Sequence, residues 1–82
     1  MSDPLILSAL PPGESAYVTS IDTGPDMVRR LTDLGLIPGT RVTCLIRSPA
    51  GDPQAYLIRG ALIALRNADA QHIFLQTEAL SS

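Results

Sequence analysis

The spacing of apolar residues changes along this chain, and each change marks an element. From Ala16 to Ile21 the β-branched residues Val18, Thr19 and Ile21 read as a strand. Val18 and Ile21 stand three apart, so a bulge is needed to turn both inward. From Met27 the period lengthens. Met27, Leu31 and Leu34 fall at i, i+4 and i+7, one face of a helix that Val28 widens. Arg29, Arg30, Thr32 and Asp33 occupy its outer face and edges. Alternation resumes over Thr40 to Arg47, with Val42, Cys44 and Ile46 on one face and Thr43, Leu45 and Arg47 on the other. Gln54 to Arg59 is a third strand, with Tyr56 and Ile58 on one side. Ala61 to Leu65 is a fourth, with Ile63 and Leu65 inward, and His72 to Gln76 a fifth, with Ile73 and Leu75 inward.

Glycine and proline punctuate this pattern. Residues 1–9 read as a loose lead-in, closed by the turn Leu10-Pro11-Pro12-Gly13-Glu14. Thr23 fits an N-cap, with Pro25 and Asp26 in the first helical turn. Gly35 fits a left-handed residue that ends the helix, after which Leu36 and Ile37 fold back and Pro38-Gly39 turns again. The helix is then expected to plug one end of a barrel. Ser48 to Pro53 reads as a turn in which Asp52 bonds nearby backbone N–H groups. Gly60 breaks the next strand pair, and Arg66 to Ala70 is a turn or a single 3₁₀ turn. A mainly β chain with one short helix and about five short strands at regular turn signals predicts a small β-barrel.

Composition narrows what such a barrel can do. Its 82 residues make one domain, 1–82, with a thin core. Net charge is −2, and all six basic residues are arginines. That balance lacks the basic footprint of a nucleic-acid binder. No apolar run approaches the roughly 18 residues of a membrane span. Met1 to Leu10 has no basic residue and carries Asp3 and Pro4, unlike a signal peptide, so a cytosolic protein is expected. Cys44, the single cysteine, can form neither an internal disulfide nor a thiolate zinc site, and reads as core.

Chemistry-bearing patterns are sparse. One histidine, His72, and scattered carboxylates offer no acid–base pair, so no enzyme is expected. A single histidine also rules out a two-histidine, one-carboxylate iron site within one chain. Gly51-Asp52-Pro53 is no Walker motif, and there is no lysine to complete one. No metal, cofactor or nucleotide is therefore expected, and the domain must act through its surface. Leu36 and Ile37 are candidates at the helix-to-strand corner, ringed by Arg30 and Asp33. Two readings stay open there: both residues pack under the helix as a lid, or an apolar side chain stays outside as an anchor. Asp52 on its loop, Arg59 beside Gly60, and Phe74 complete the candidate partner-binding set.

The order of short motifs is more specific than any one of them. Leu10-Pro11-Pro12-Gly13-Glu14, Arg30-Leu31 with Leu34-Gly35-Leu36 and Pro38-Gly39, Gly51-Asp52-Pro53, Arg59-Gly60 and Ala64-Leu65-Arg66 follow at spacings that resemble the ferrous iron transport protein A (FeoA) family over about residues 7–75. The resemblance implies an SH3-like barrel with an inserted helix and a core of about 7–77. It implies a small cytosolic accessory protein of bacterial ferrous iron uptake. The expected partner is the membrane permease with a cytosolic GTP-binding domain, which would hold the protein at the inner membrane face. A polyproline groove is not expected, because Tyr17, Tyr56 and Phe74 lie on three different strands. The alternative is a generic SH3-like adaptor or an oligomerising scaffold outside iron transport, and a homo-oligomer stays open.

Overall fold

The computed structural model describes residues 5–47 and 49–77. The elements are β1 (Leu5–Ile6), a 3₁₀ turn (Leu7–Ala9), β2 (Ser15–Ile21), α1 (Pro25–Asp33), β3 (Arg41–Arg47), β4 (Gln54–Ile58), β5 (Ala61–Leu65), α2 (Asn67–Ala70) and β6 (Ile73–Gln76). The strands form one antiparallel sheet in the order β1-β6-β2-β3-β4-β5. It coils around a core that includes Leu7, Val18, Leu31, Leu36, Val42, Tyr56, Ile58 and Ile73.

Six strands replace the five expected, because the N-terminal segment is not a loose lead-in from Leu5 onward. Leu5 pairs with Leu75 and Ile6 with Phe74, and Leu7 is fully buried. Two residues carry no readable alternation, so only their partner strand β6 reveals them as a strand.

Two bulges set which side chains face in. One lies between Val18 and Ser20 where β2 meets β6, as the Val18–Ile21 spacing requires. The other lies between Cys44 and Ile46, where Leu45 is the extra residue against β4. This second bulge overturns the expectation that Ile46 shares the inner face of Val42 and Cys44. A one-residue shift sends every later side chain to the opposite face. Ile46 pairs with Ala55 and is 71% exposed.

Helix α1 begins one residue later than expected. Gly24, not Thr23, is the N-cap, and it makes no side-chain cap bond. Pro25 occupies the first helical position and drives the residue before it into an extended conformation, which Gly24 adopts. The C-terminus is a Schellman motif. Gly35 N–H donates to the Thr32 carbonyl at 2.9 Å, and Leu36 N–H to the Leu31 carbonyl at 3.0 Å. Gly35 has φ +101°, the left-handed geometry expected of it. This reversal lays Leu36 on the core beside Leu31 and leaves Leu34, the cap residue, exposed. The expected apolar face therefore ends at Leu31.

Candidate functional site

The helix stop creates an open groove of about 640 Å³ on the outer side of β3 and β4. One wall is the corner from Ile37 to Thr40, which Pro38-Gly39 turns into β3. Arg41 and Thr43 follow on β3, and Leu57, Arg59 and Gly60 form the opposite wall. Thr43 and Leu57 are direct cross-strand partners, so the groove runs over a paired stretch of sheet.

Arg59 and Gly60 are the two residues of the β4–β5 turn, with φ +53° and +81°. Positive φ at both positions is the type I′ hairpin, which matches the strand twist and favours Asn-Gly. Arginine is an expensive occupant of its first position. Its side chain crosses Gly35 so closely that a Cβ there would lie 2.6 Å from Arg59 Cδ. The helix cap and the hairpin thus meet, and together they hold Arg59 at the groove.

The polar groups of the groove divide into used and unused. Thr40 Oγ1 donates to the Gly35 carbonyl at 2.8 Å, and the Thr43 hydroxyl shares a 2.7 Å bond with Ser15. Arg41 and Arg59 line the groove exposed, and among the described residues no carboxylate lines it and neither arginine has a protein partner.

Of the residues expected to bind a partner, the groove brings together Ile37 and Arg59. Leu36 has no exposed surface and lies in the core, the lid position of the two left open. Ile37 is 38% exposed. Arg30 and Asp33 are exposed in the last turn of α1. Phe74 is half-buried on β6, at the far side of the sheet order, next to β1. Arg41, Thr43 and Leu57 were not singled out from sequence. Their signal was strand parity: Thr43 shares the face opposite Val42 and Cys44, and Leu57 lies between the inward Tyr56 and Ile58.

Asp52 serves a different construction. Its Oδ1 accepts the Asn67 backbone N–H at 2.9 Å, so it ties its loop to the start of α2 and not to its own turn as expected. Beneath this contact Gln54 is buried. Its Oε1 lies 3.2 Å from the Tyr56 hydroxyl and 3.5 Å from Cys44 Sγ, while its Nε2 donates to Asn67 Oδ1 at 3.1 Å. Asn67 Nδ2 donates in turn to the Gly51 carbonyl at 3.1 Å. A buried amide is tolerated when both of its ends are satisfied. Gln54→Leu keeps the bulk but removes the amide bond to Asn67 Oδ1 and the acceptor shared by Tyr56 and Cys44, while the Tyr56 hydroxyl keeps the Leu7 carbonyl at 3.3 Å. Denaturant unfolding is expected to show a loss of about 2 kcal/mol.

Among the described residues, no group of three His, Cys, Asp or Glu side chains is placed to hold a metal ion. No helix there is long and apolar enough to cross a membrane.

A short antiparallel sheet coiled on a thin core, with one helix inserted between two of its strands and an open groove at that insertion, defines a small β-barrel domain of the SH3-like class. Within that class the chain belongs to the FeoA family: the FeoA domain model matches residues 6–77. It is similar to the FeoA protein from Chlorobium tepidum, with 36% identity over 95% of this chain and 74% of that one, TM-score 0.84. It is also similar to Stenotrophomonas maltophilia FeoA, described as a prokaryotic SH3-domain protein and solved with zinc. Identity is 30% over 88% of this chain and 89% of that one, TM-score 0.78. A FeoA-like protein from Clostridium acetobutylicum shares 27% identity over all of this chain and 93% of its own, TM-score 0.82. A manganese-dependent transcriptional repressor, at 23% identity and TM-score 0.82, shares the fold alone. Comparison with curated proteins gives no match. The family is associated with ferrous iron transport.

Proposed function

We propose that this protein is a cytosolic accessory module of bacterial ferrous iron uptake that docks on the cytosolic GTP-binding part of the ferrous iron permease. It works by binding and performs no chemistry of its own. The observation that carries this reading is the groove. It offers apolar surface at Ile37 and Leu57 and, among the described residues, two arginines without a protein partner and none of the paired acid–base groups that catalysis needs. Family membership supplies the iron-transport context.

The test is biolayer interferometry of the protein against the purified cytosolic GTP-binding domain of the permease from the same organism. Saturable binding with a Kd of about 10 μM or tighter is expected, near −7 kcal/mol. The isolated protein is expected to release no phosphate from GTP. An absence of binding at 100 μM, roughly −5.5 kcal/mol, would reject the docking reading.

A second reading, an oligomerising scaffold, is favoured by one observation. Edge strand β5 runs Ala61-Leu62-Ile63-Ala64-Leu65 with no charge or proline to block pairing, and Leu62 is 69% exposed. Sedimentation velocity across a concentration series separates the two.

A further inference from the structure

Arg59 stands where the backbone favours another residue. The first position of a type I′ turn suits asparagine or glycine, yet arginine holds φ +53° there. The conformation aims its side chain over Gly35 and into the groove wall. Backbone strain at a surface turn calls for a compensating use, and no carboxylate of the described residues provides one. Arg41 enters the same groove from β3, also without a partner among the described residues. Among the described residues these two guanidiniums face one open groove with no carboxylate in its lining. Ile37 and Leu57 line the same groove, both part-exposed, Leu57 opposite Thr43 on the sheet. The threonine hydroxyls nearby are already bonded within the protein.

We infer that the groove receives an acidic segment of a protein partner carrying an apolar side chain. The carboxylate sits between Arg41 and Arg59, and the apolar side chain rests on Ile37 and Leu57. This inference rests on the docking reading above and adds the chemistry of the segment that docks. Guanidinium groups bind carboxylates through paired, planar hydrogen bonds, which fix orientation as well as attraction. The apolar contact excludes water from that pair and strengthens it. A free anion without an apolar neighbour leaves Ile37 and Leu57 uncovered and is held only weakly.

Two measurements test this. The first is binding of the permease's cytosolic GTP-binding domain to wild-type protein and to arginine variants. Arg59→Asn places the favoured residue in the turn, so its melting temperature should stay within about 3 °C of wild type. Its affinity should nonetheless fall by about tenfold, and that of Arg41→Glu/Arg59→Glu by more than about a hundredfold. Wild-type affinity should weaken with added salt. The second needs no permease. A blocked tetrapeptide of alternating glutamate and leucine is titrated into isotope-labelled protein and followed by amide NMR shifts. Shifts should concentrate at residues 37–43 and 57–60, and the lysine–leucine counterpart should produce none there. If the permease domain does not bind but the acidic peptide shifts the groove, the permease reading fails and the groove chemistry stands. If the folded double variant binds the permease domain as wild type does, the groove is not the site and the inference is overturned. It is equally overturned if inorganic phosphate shifts the groove amides as strongly as the peptide, since the occupant is then a simple anion.

Discussion

Leu36→Asp is expected to leave the chain unfolded at room temperature. Leu36 is fully buried in the core that holds Leu31, Val42 and Ile58. Truncating such a side chain to alanine already costs about 2–5 kcal/mol. An aspartate adds a carboxyl group in an apolar site, either charged against a large desolvation penalty or protonated and without a partner. Domains of this size sit at the low end of a stability range of about 5–15 kcal/mol, so the combined loss exceeds what the fold can absorb. Far-UV circular dichroism and one-dimensional proton NMR read the outcome. Leu36→Ala should remain folded with a lowered urea midpoint. The neighbouring Ile37→Asp, at a position 38% exposed, should cost less than about 1 kcal/mol. A cooperative melt in Leu36→Asp matching that of wild type would contradict the packing of this corner.

The contrast between these adjacent residues shows what the sequence could and could not carry. Gly35 after an apolar helix face announced the stop, because left-handed backbone is cheap for glycine. The stop implied that the chain folds back. Which of Leu36 and Ile37 goes under the helix depends on the Schellman bonds, and the structure gives that place to Leu36. The strands of the barrel were legible wherever alternation ran long enough. Leu5–Ile6 was not, since its register is set by Phe74 and Leu75 at the other end of the chain. The bulge at Leu45 was silent as well, because Val42, Cys44 and Ile46 alternate perfectly in sequence while the backbone shifts beneath them.

The groove was half legible for the same reason. Ile37 and Arg59 stood out as an apolar residue after a stop and an arginine beside a glycine. Arg41 and Leu57 read as ordinary outward strand residues until the sheet register brought Leu57 against Thr43. Gln54 shares the parity of Tyr56 and Ile58 and is 2% exposed, yet a glutamine gives no sign of burial by itself. Its partners Cys44, Tyr56 and Asn67 come from three other positions in the chain, and only the fold assembles them. The left-handed Arg59 was hidden too, since nothing in an arginine signals positive φ.

Gly35→Ala is expected to lower stability by about 2 kcal/mol, and Gly35→Val by more, for two separable reasons. The first is conformational: φ +101° is a region in which any Cβ is strained, and a β-branched one more so. The second is steric: the new Cβ would lie 2.6 Å from Arg59 Cδ and 3.3 Å from its Cγ, so the arginine must leave its path across the cap. For a domain of this length each kcal/mol corresponds to roughly 4–8 °C in melting temperature, so the alanine variant should melt about 10 °C early. Asparagine has no Cδ, which makes Arg59→Asn the partner for a double-mutant cycle. Gly35→Ala in the Arg59→Asn background should cost less than in the wild type by the steric share, while the conformational share persists. Equal costs in the two backgrounds would show that Arg59 does not lie across Gly35, and the link between helix cap and groove would be lost. A cost that vanishes in the Arg59→Asn background would instead remove the left-handed assignment of Gly35.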